Sequence, residues 1–289
     1  MPELPEVETV RRDLARAFLG HDLERIVVTG GRTVRRHPPG LLGALNGRTL
    51  TATGRHGKYL LLEWDDGQVL VVHLRMSGQL LAAHADDPLV PHTHAVMTFS
   101  GADELRFVDP RTFGEFFLAT RGPDKGKEAS TGGANVPVVA SGLAELVHLG
   151  PDALDVDVAH FRVALAGRRA PLKSLLVDQR VVAGIGNIYA DEICFDARVR
   201  PERPGGSLKR AELARLTGSA HSILQSAIAA RGSSLADEQY RDLQGAPGLF
   251  QLEHKVYGRL GQKCARCGRE IERVHFGAKS AFLCRKCQK

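Results

Sequence analysis

Two Cys-x-x-Cys pairs near the carboxyl end constrain this chain more than any other feature. The pairs are Cys264/Cys267 and Cys284/Cys287, and sixteen residues separate them. Each short turn lets two thiolates converge on one ion, and two such turns complete a tetrahedron of zinc ligands. Two disulfides are the alternative, which the odd fifth cysteine disfavours if the protein is cytosolic. The spacing therefore predicts one structural Zn²⁺ ion.

The same segment carries most of the positive charge. Residues 254–289 hold ten Lys or Arg and two Glu, a net charge of +8, whereas the whole 289-residue chain has a net charge of +6. A basic segment on a near-neutral body is typical of proteins that bind nucleic acid, and a solvated tail is the plainer alternative. The length allows two domains. A hydrophobic content of 43% excludes wholesale disorder and a collagen-like fibre.

The amino terminus shows no export signal. The segment MPELPEVETVRRDL has three Glu before its first Arg and no apolar core of the kind that signal peptides contain. No uncharged apolar run reaches the roughly 18 residues that a membrane-spanning helix needs. We therefore expect a cytoplasmic protein.

The hydrophobic pattern changes twice along the chain. A helix is predicted over 5–18, because Pro5 suits its first turn and apolar residues recur on one face. Alternating segments separated by turn residues then predict a β-sandwich. The predicted strands are 24–29, 48–53, 58–64, 68–75, 94–99, 104–108 and 113–119.

A helical period follows the predicted strands. Leu172, Leu175 and Leu176 share one face, and a longer apolar stripe runs between Leu208 and Ile228. The expected fold class is α+β. The expected division is an N-terminal catalytic β-sandwich domain over 1–121, a Gly/Ser/Pro-rich linker over 122–142, a helical domain over 143–253 and a zinc finger over 254–289.

The first residues could carry chemistry. If Met1 is removed, Pro2 becomes a terminal secondary amine with an ordinary pKa of about 7.7–8.0, so part of it is unprotonated near neutrality. Attack of that amine on a sugar C1′ gives a cationic iminium, which is an electron sink for elimination. Glu3 beside it could transfer protons. On these two residues alone, a simple lead-in to the helix is the commoner interpretation.

Seven motifs strengthen the chemical interpretation. They are PELPEVETVRR, GKYLLLE, HLRMSG, LRFVDPRTFG, GIGNIYADE, VYGR and the two zinc knuckles, in this order. Together they closely resemble the bacterial formamidopyrimidine-DNA glycosylases, from Pro2 to Lys289. The resemblance implies a β-sandwich with a leading helix, a helix–two-turn–helix domain and a zinc-finger β-hairpin. It also implies a monomeric, nucleoid-associated enzyme that excises oxidised purines from double-stranded DNA and then cleaves the abasic strand.

The resemblance assigns roles to the catalytic candidates. Pro2 is the nucleophile that forms a Schiff base, Glu3 is the general acid, and Lys58 contacts phosphate and assists β-elimination. Glu6 matches an acidic residue near the site, and capping of its own helix is the competing interpretation. Without the motif, Lys58 would be read as a strand-edge charge.

Further residues match DNA contacts of the family. Met76, Arg111 and Phe113 match the trio that fills the gap left by the extruded base, with Arg111 reading the orphaned cytosine. The expected phosphate contacts are His73, His92, Arg168, Asn187 and Lys279. Asn187 has the strongest physical case, because the Gly-x-Gly turn before it opens a helix whose free N–H groups suit phosphate.

One position departs from the family pattern. The family carries Arg five residues before the third zinc cysteine, where it clamps phosphate and is linked to δ-elimination, and here Lys279 stands in that place. Lysine keeps the charge but loses the bidentate fork. We therefore predict retained glycosylase and β-lyase activity and weakened δ-elimination.

Two alternatives stay open at this point. An endonuclease VIII-like enzyme for oxidised pyrimidines would share the fold, but PELPEVET and the Arg-x-Phe pattern speak against it. A non-catalytic DNA-binding homologue would lack Pro2, Glu3 or Lys58, and all three are present. Residues 233–250 are predicted to form either a lid over the flipped base or a plain connector.

Overall fold

A computed structural model describes residues 1–120, 143–235, 240–276 and 279–289. The predicted linker lies outside the described residues. The chain forms two compact units, one of residues 1–148 with 231–248 and the other of residues 149–230 with 249–289. No helix of the described residues is long and apolar enough to cross a membrane.

Within the described residues, the first unit is an α-helix followed by eight strands. Helix α1 spans Leu4–Phe18, one residue earlier than predicted, with proline in its first turn. A 3₁₀ helix spans Pro39–Leu45, and another spans Ala144–Leu146. The strands are β1 Leu23–Val28, β2 Leu50–His56, β3 Tyr59–Trp64, β4 Gln68–His73, β5 Gln79–Ala83, β6 Thr93–Phe99, β7 Glu104–Val108 and β8 Glu115–Thr120.

The strands form two antiparallel four-stranded sheets. The orders are β1-β6-β7-β5 and β2-β3-β4-β8. Side chains from α1 and from both sheets meet in one buried core, which includes Phe18, Trp64, Phe107 and Phe116. This burial of apolar surface is the main force that holds the helix and the sheets together. The expected β-sandwich with a leading helix is confirmed.

Seven of the eight strands coincide with predicted strands, and β5 was missed. Its sequence, QLLAA, has no β-branched or aromatic residue, so its local propensity for a strand is weak. The strand exists because it pairs with β7 from Gln79↔Val108 to Ala83↔Glu104. Tertiary pairing here overrides local propensity.

Residues 231–248 belong to the first unit, whereas the expected boundaries place them in the helical domain. The guanidinium of Arg231 pairs with both Asp13 of α1 and Asp242, two buried carboxylates. Leu243 lies in the core of this unit, and its carbonyl accepts a hydrogen bond from Ala82 N at 2.8 Å. These long-range contacts carry no local sequence signal, which is why the pattern did not predict them.

The described part of the second unit contains four α-helices and one hairpin. The helices are α2 Val158–Leu165, α3 Leu172–Leu176, α4 Asn187–Asp196 and α5 Arg210–Ala229, with 3₁₀ turns at Gly205–Ser207 and Phe250–Glu253. The hairpin pairs β9 Glu272–Phe276 with β10 Lys279–Leu283 in antiparallel register. Helix α5 contains the predicted apolar stripe except for its first residue, Leu208, which precedes the helix. The expected order of helical domain and zinc-finger hairpin is confirmed.

Candidate functional site

The amino-terminal end of α1 carries a buried pair of carboxylates. Glu3 is the N-cap of the helix, and its backbone N–H donates to Oε2 of Glu6 at 2.7 Å. The Glu3 side chain in turn accepts from the backbone of the first turn, which completes a capping box. Both side chains are at most 2% exposed, and Pro2 is buried beside them. The candidate nucleophile and acid therefore lie in a protected setting.

Lys58 faces these carboxylates. It lies in a two-residue turn between β2 and β3, where Gly57 has φ +56°, a conformation that glycine adopts most readily. Lys58 is only 5% exposed, and burial lowers the pKa of its ammonium group, while the charges of Glu3 and Glu6 oppose that shift. The structure thus brings Glu3, Glu6 and Lys58 into one electrostatically coupled cluster.

Glu6 is held from a distant part of the chain. Its Oε1 accepts the backbone N–H of Ser233 at 2.7 Å. A Cβ on Gly232 would lie 2.8 Å from the same oxygen, so only glycine fits there without a shift. Sequence reasoning left open whether Glu6 only caps its helix. The structure gives it both the cap and a tether to the 231–248 segment.

His73 is buried as a neutral ring at the end of β4. Burial, together with the nearby charges of Arg75 and Lys58, holds the pKa of its imidazole well below the usual range. Nδ1 is 2.9 Å from the backbone nitrogen of Arg75 and accepts its hydrogen bond, which leaves the proton of the neutral ring on Nε2. The ring also packs edge-on against the Tyr59 ring, with 4.4 Å between the two ring centroids. Such a ring can donate one hydrogen bond from Nε2.

The three gap-filling candidates lie on loops of the first unit and are not core residues. Met76 is 39% exposed and Phe113 is 43% exposed, so both side chains are accessible to a DNA partner. The guanidinium of Arg111 lies 5.1 Å from the centre of the Phe113 ring. Exposure of two apolar wedges beside a cation suits insertion into a base stack.

Asp109 organises these loops and was missed from the sequence. It is fully buried, and Oδ1 accepts from the Ser77 hydroxyl at 2.5 Å and from Arg111 N at 3.2 Å, while Oδ2 accepts from Gly114 N at 2.7 Å. One carboxylate therefore fixes both the turn that carries Met76 and the loop that carries Arg111. An aspartate directly after a buried strand was the available signal. Its own backbone N–H donates to the carbonyl of His92, an exposed residue with φ +67°.

The second unit presents its own phosphate candidates. Asn187 is exposed at the first position of α4, where the backbone N–H groups of the first turn have no partner within the helix. Gln179, not singled out from the sequence, shapes the preceding turn by accepting from Gly184 N at 2.9 Å and donating to the carbonyl of Ile185 at 2.8 Å. Arg168 is exposed on the loop after α2, and its carbonyl accepts from Gly206 N.

Lys279 opens strand β10 of the hairpin. A buried ion pair anchors this strand: Lys173 Nζ lies 2.8 Å from Asp191 and also donates to the Ser280 carbonyl at 2.7 Å. Asp191 Oδ2 accepts from Phe282 N at 3.0 Å. Lys279 is half-buried, and its charge contributes to the lowered pKa of Asp178, which the hydrogen bond from Arg180 chiefly causes. The hairpin thus places the Lys279 cation at the start of an anchored strand.

The four knuckle cysteines form a metal site. Their sulfur atoms all lie within 4.8 Å of one another, with Cys264–Cys287 at 3.9 Å and Cys267–Cys284 at 3.4 Å. A tetrahedral zinc site with Zn–S bonds of about 2.3 Å requires sulfur separations of about 3.8 Å. The sulfur set fits one Zn²⁺ ion and leaves no position for substrate, so the metal is structural.

Family models match three parts of the chain. They describe a formamidopyrimidine-DNA glycosylase N-terminal domain over residues 1–116, the H2TH domain of the same enzyme over 149–239, and a zinc finger found in FPG and IleRS over 261–289. The chain belongs to the formamidopyrimidine-DNA glycosylase family. The resemblance inferred from the seven motifs is thereby confirmed, and so is the zinc-finger assignment.

Individual members of this glycosylase family match this chain over almost its full length. A formamidopyrimidine-DNA glycosylase of Moorella thermoacetica is 43% identical over 277 residues, which cover 95% of this chain and 94% of the relative. The solved structure of the MutM (Fpg) protein of Thermus thermophilus is 38% identical, with a TM-score of 0.82 over 99% of this chain and 98% of that one. The Lactococcus lactis Fpg in complex with abasic-site DNA is 33% identical, with a TM-score of 0.83 over 99% of both chains.

Proposed function

We propose that this protein excises oxidised purines, such as 8-oxoguanine and formamidopyrimidines, from double-stranded DNA and then cleaves the abasic strand. The observation that carries the proposal is the buried cluster of Glu3, Glu6 and Lys58 beside Pro2, in a member of this family. Solved relatives include Fpg in complex with Fapy-dG DNA and MutM in complex with DNA that contains carbocyclic 8-oxo-G. Their ligands support the same substrate class for this chain.

The proposed reaction begins once Met1 is removed. The Pro2 nitrogen attacks C1′ of the damaged nucleotide, the glycosidic bond breaks, and Glu3 donates the proton that the departing base requires. The Pro2 nitrogen loses its proton, the C1′–O4′ bond then breaks, and O4′ takes up a proton, so the sugar ring opens and leaves an iminium between C1′ and the Pro2 nitrogen. This iminium draws electrons from C2′, so loss of a C2′ proton expels the 3′ phosphate in β-elimination. Lys58 holds phosphate in this scheme, and hydrolysis of the iminium would free Pro2.

DNA binding is assigned to groups on both units. In the first unit, Met76, Arg111 and Phe113 fill the gap in the stack, and His73 and His92 contact phosphate. In the second unit, Arg168, Asn187 and Lys279 contact phosphate. An enzyme with this substrate would work at the nucleoid. Contacts of this kind predict binding that weakens steeply with salt.

Borohydride trapping tests the proposal. A duplex with 8-oxoguanine opposite cytosine should give a covalent adduct with protein that lacks Met1. The adduct should be absent from protein that retains Met1 and from a form extended by one Gly before Pro2, because both block the amine. A matched thymine-glycol duplex is the control. An adduct only on that duplex would transfer the protein to the oxidised-pyrimidine branch, and none on either would refute the chemistry.

A further inference from the structure

A cavity of about 580 Å³ lies within the second unit, beside the zinc knuckles. The start of α5, the segment after α4 and both knuckles line it. Its charged lining residues are Arg198, Glu212, Arg215, Arg266, Lys286 and Lys289. Cys267 and Cys287, two of the zinc-binding cysteines, line it as well, so five cations lie beside one acid and the thiolates of the zinc site. None of these residues has a role in the proposed lesion chemistry.

Three of the cations are exposed and form no ion pair in the described part of this unit. Glu212, the one acid in the lining, already bonds Arg203 at 2.7 Å, outside the cavity lining. Within the described part of this unit, the side chains of Arg198, Lys286 and Lys289 make no hydrogen bond or ion pair. An unpaired cluster of like charges is unfavourable by itself, so an anion entering the cavity would relieve that repulsion.

Hydrogen bonds hold two of the five cationic side chains, Arg215 and Arg266, and fix the backbone that carries Arg198. Arg198 has φ +60°, uncommon for a residue other than glycine, and is held there by hydrogen bonds from its N–H to Phe195 O and from Lys289 N to its own carbonyl, both 3.1 Å. Arg215 Nε donates to Ala197 O at 3.1 Å. Arg266 donates to the Phe195 carbonyl at 2.7 Å and to Asp196 at 2.8 Å. The Arg215 and Arg266 side chains therefore lose little freedom when they contact an anion.

We propose that this cavity binds a compact anion with two or more phosphate groups. Its volume lies in the range of small-molecule sites, about 300–1,000 Å³. Guanidinium and ammonium groups are the usual partners of phosphate oxygens. The phosphates could belong to a free polyphosphate or to successive nucleotides of a DNA strand. Binding does not depend on the proposed glycosylase activity, so either can fail without the other.

Titration calorimetry with inorganic tripolyphosphate tests the site on full-length, zinc-loaded protein. The test variant is Arg198→Gln/Lys286→Gln. The control, Lys263→Gln/Arg269→Gln, removes the same charge from exposed positions of the zinc finger outside the cavity. We expect the dissociation constant to rise at least about tenfold in the test variant and to stay near the wild-type value in the control. Equal affinity in all three proteins would overturn the proposal.

The same cations could instead balance the negative zinc–thiolate centre. Loss of zinc from the test variant, with no tripolyphosphate binding by the wild type, would establish that role and refute the site. Amide chemical shifts of the wild type give a measurement free of mutation. Tripolyphosphate should move residues 197–199 and 286–289, and unmoved signals there would contradict the proposal.

Undamaged duplex DNA distinguishes the two phosphate sources. If the cavity serves a DNA strand, the test variant should bind the duplex more weakly and with a smaller salt dependence than the control. If it serves a free polyphosphate, the two variants should bind the duplex equally, while only the test variant loses affinity for tripolyphosphate.

Discussion

His254 couples folding to pH through a single ring. Burial lowers the pKa of its imidazole to about 4, from an ordinary value near 6.5. As the pH falls, His254 takes up its proton in the unfolded chain before it does so in the folded protein. The stability of the neutral, buried ring is therefore fully present above about pH 6.5 and is lost as the pH falls toward 4. Between pH 7.5 and 5, His254 should therefore cost the wild type about 2 kcal/mol of unfolding free energy.

Urea unfolding at these two pH values measures the effect. His254→Gln should be less stable than the wild type at pH 7.5 but should lose about 2 kcal/mol less on acidification. The control is His84→Gln, because the His84 ring is exposed, with Nδ1 2.8 Å from Oδ1 of Asp103. If the two variants respond equally to acid, His254 does not carry the effect.

Sequence at the residue scale predicts groups that act through their side-chain chemistry. Glu3 and Lys58 could be named because their motifs are distinctive, and the structure places both in the buried cluster. Asp109 and Gln179 could not, because each acts by bonding backbone N–H or carbonyl groups of a loop. In sequence, a buried Asp or Gln that holds a loop in this way cannot be told from an Asp or Gln in an exposed turn.

The loop that carries Arg111 and Phe113 depends on Asp109. Asp109→Asn keeps the size of the side chain but replaces one acceptor oxygen with a donor, so at least one of its three hydrogen bonds is lost. We expect a loss of about 1–3 kcal/mol in unfolding free energy. If the loop reads the base opposite the lesion, preference for cytosine in that position should also fall. Asp103→Asn, at an exposed side chain of the same unit, is the control.

Excision assays against each opposite base, with urea unfolding, check this prediction. A variant with lower stability but unchanged opposite-base preference would show that Asp109 supports the fold and not the recognition. A variant identical to the wild type in both measurements would contradict the whole argument.

Strand β10 fixes the position of Lys279, its first residue. We expect the choice between lysine and arginine at this position to change the ratio of β- to δ-elimination products. Lys279→Arg restores the bidentate fork at the same anchored position. We expect a larger share of δ-elimination ends with unchanged base excision, measured by gel separation of strand ends from an abasic duplex. Lys263→Arg is the matched control, because that exposed lysine directly precedes the first knuckle. Identical product ratios in all three proteins would refute a role for this position.

Elements and their order were largely predictable, whereas the partition of the whole molecule was not. Seven strands and the main helices follow from local periodicity, because burial on one face imposes it. The 231–248 segment lies after the last long helix in sequence but packs in the first unit, through Arg231, Tyr240 and Leu243. The first unit is therefore discontinuous in sequence, because its last segment, 231–248, follows residues 149–230 of the second unit.

Zinc removal should separate the fates of the two units. In the second unit, Cys264 and Cys284 share a small core with Phe195, Val256 and Ile271, so loss of the metal should unfold the hairpin and abolish duplex binding. The first unit has its own larger core, which contains Trp64, the only tryptophan of the chain. After chelation, Trp64 emission should stay that of a buried indole while fluorescence anisotropy shows lost DNA binding, and added zinc should restore it. Red-shifted Trp64 emission would mean that the units unfold together, and duplex binding by verified zinc-free protein would show that the hairpin is dispensable.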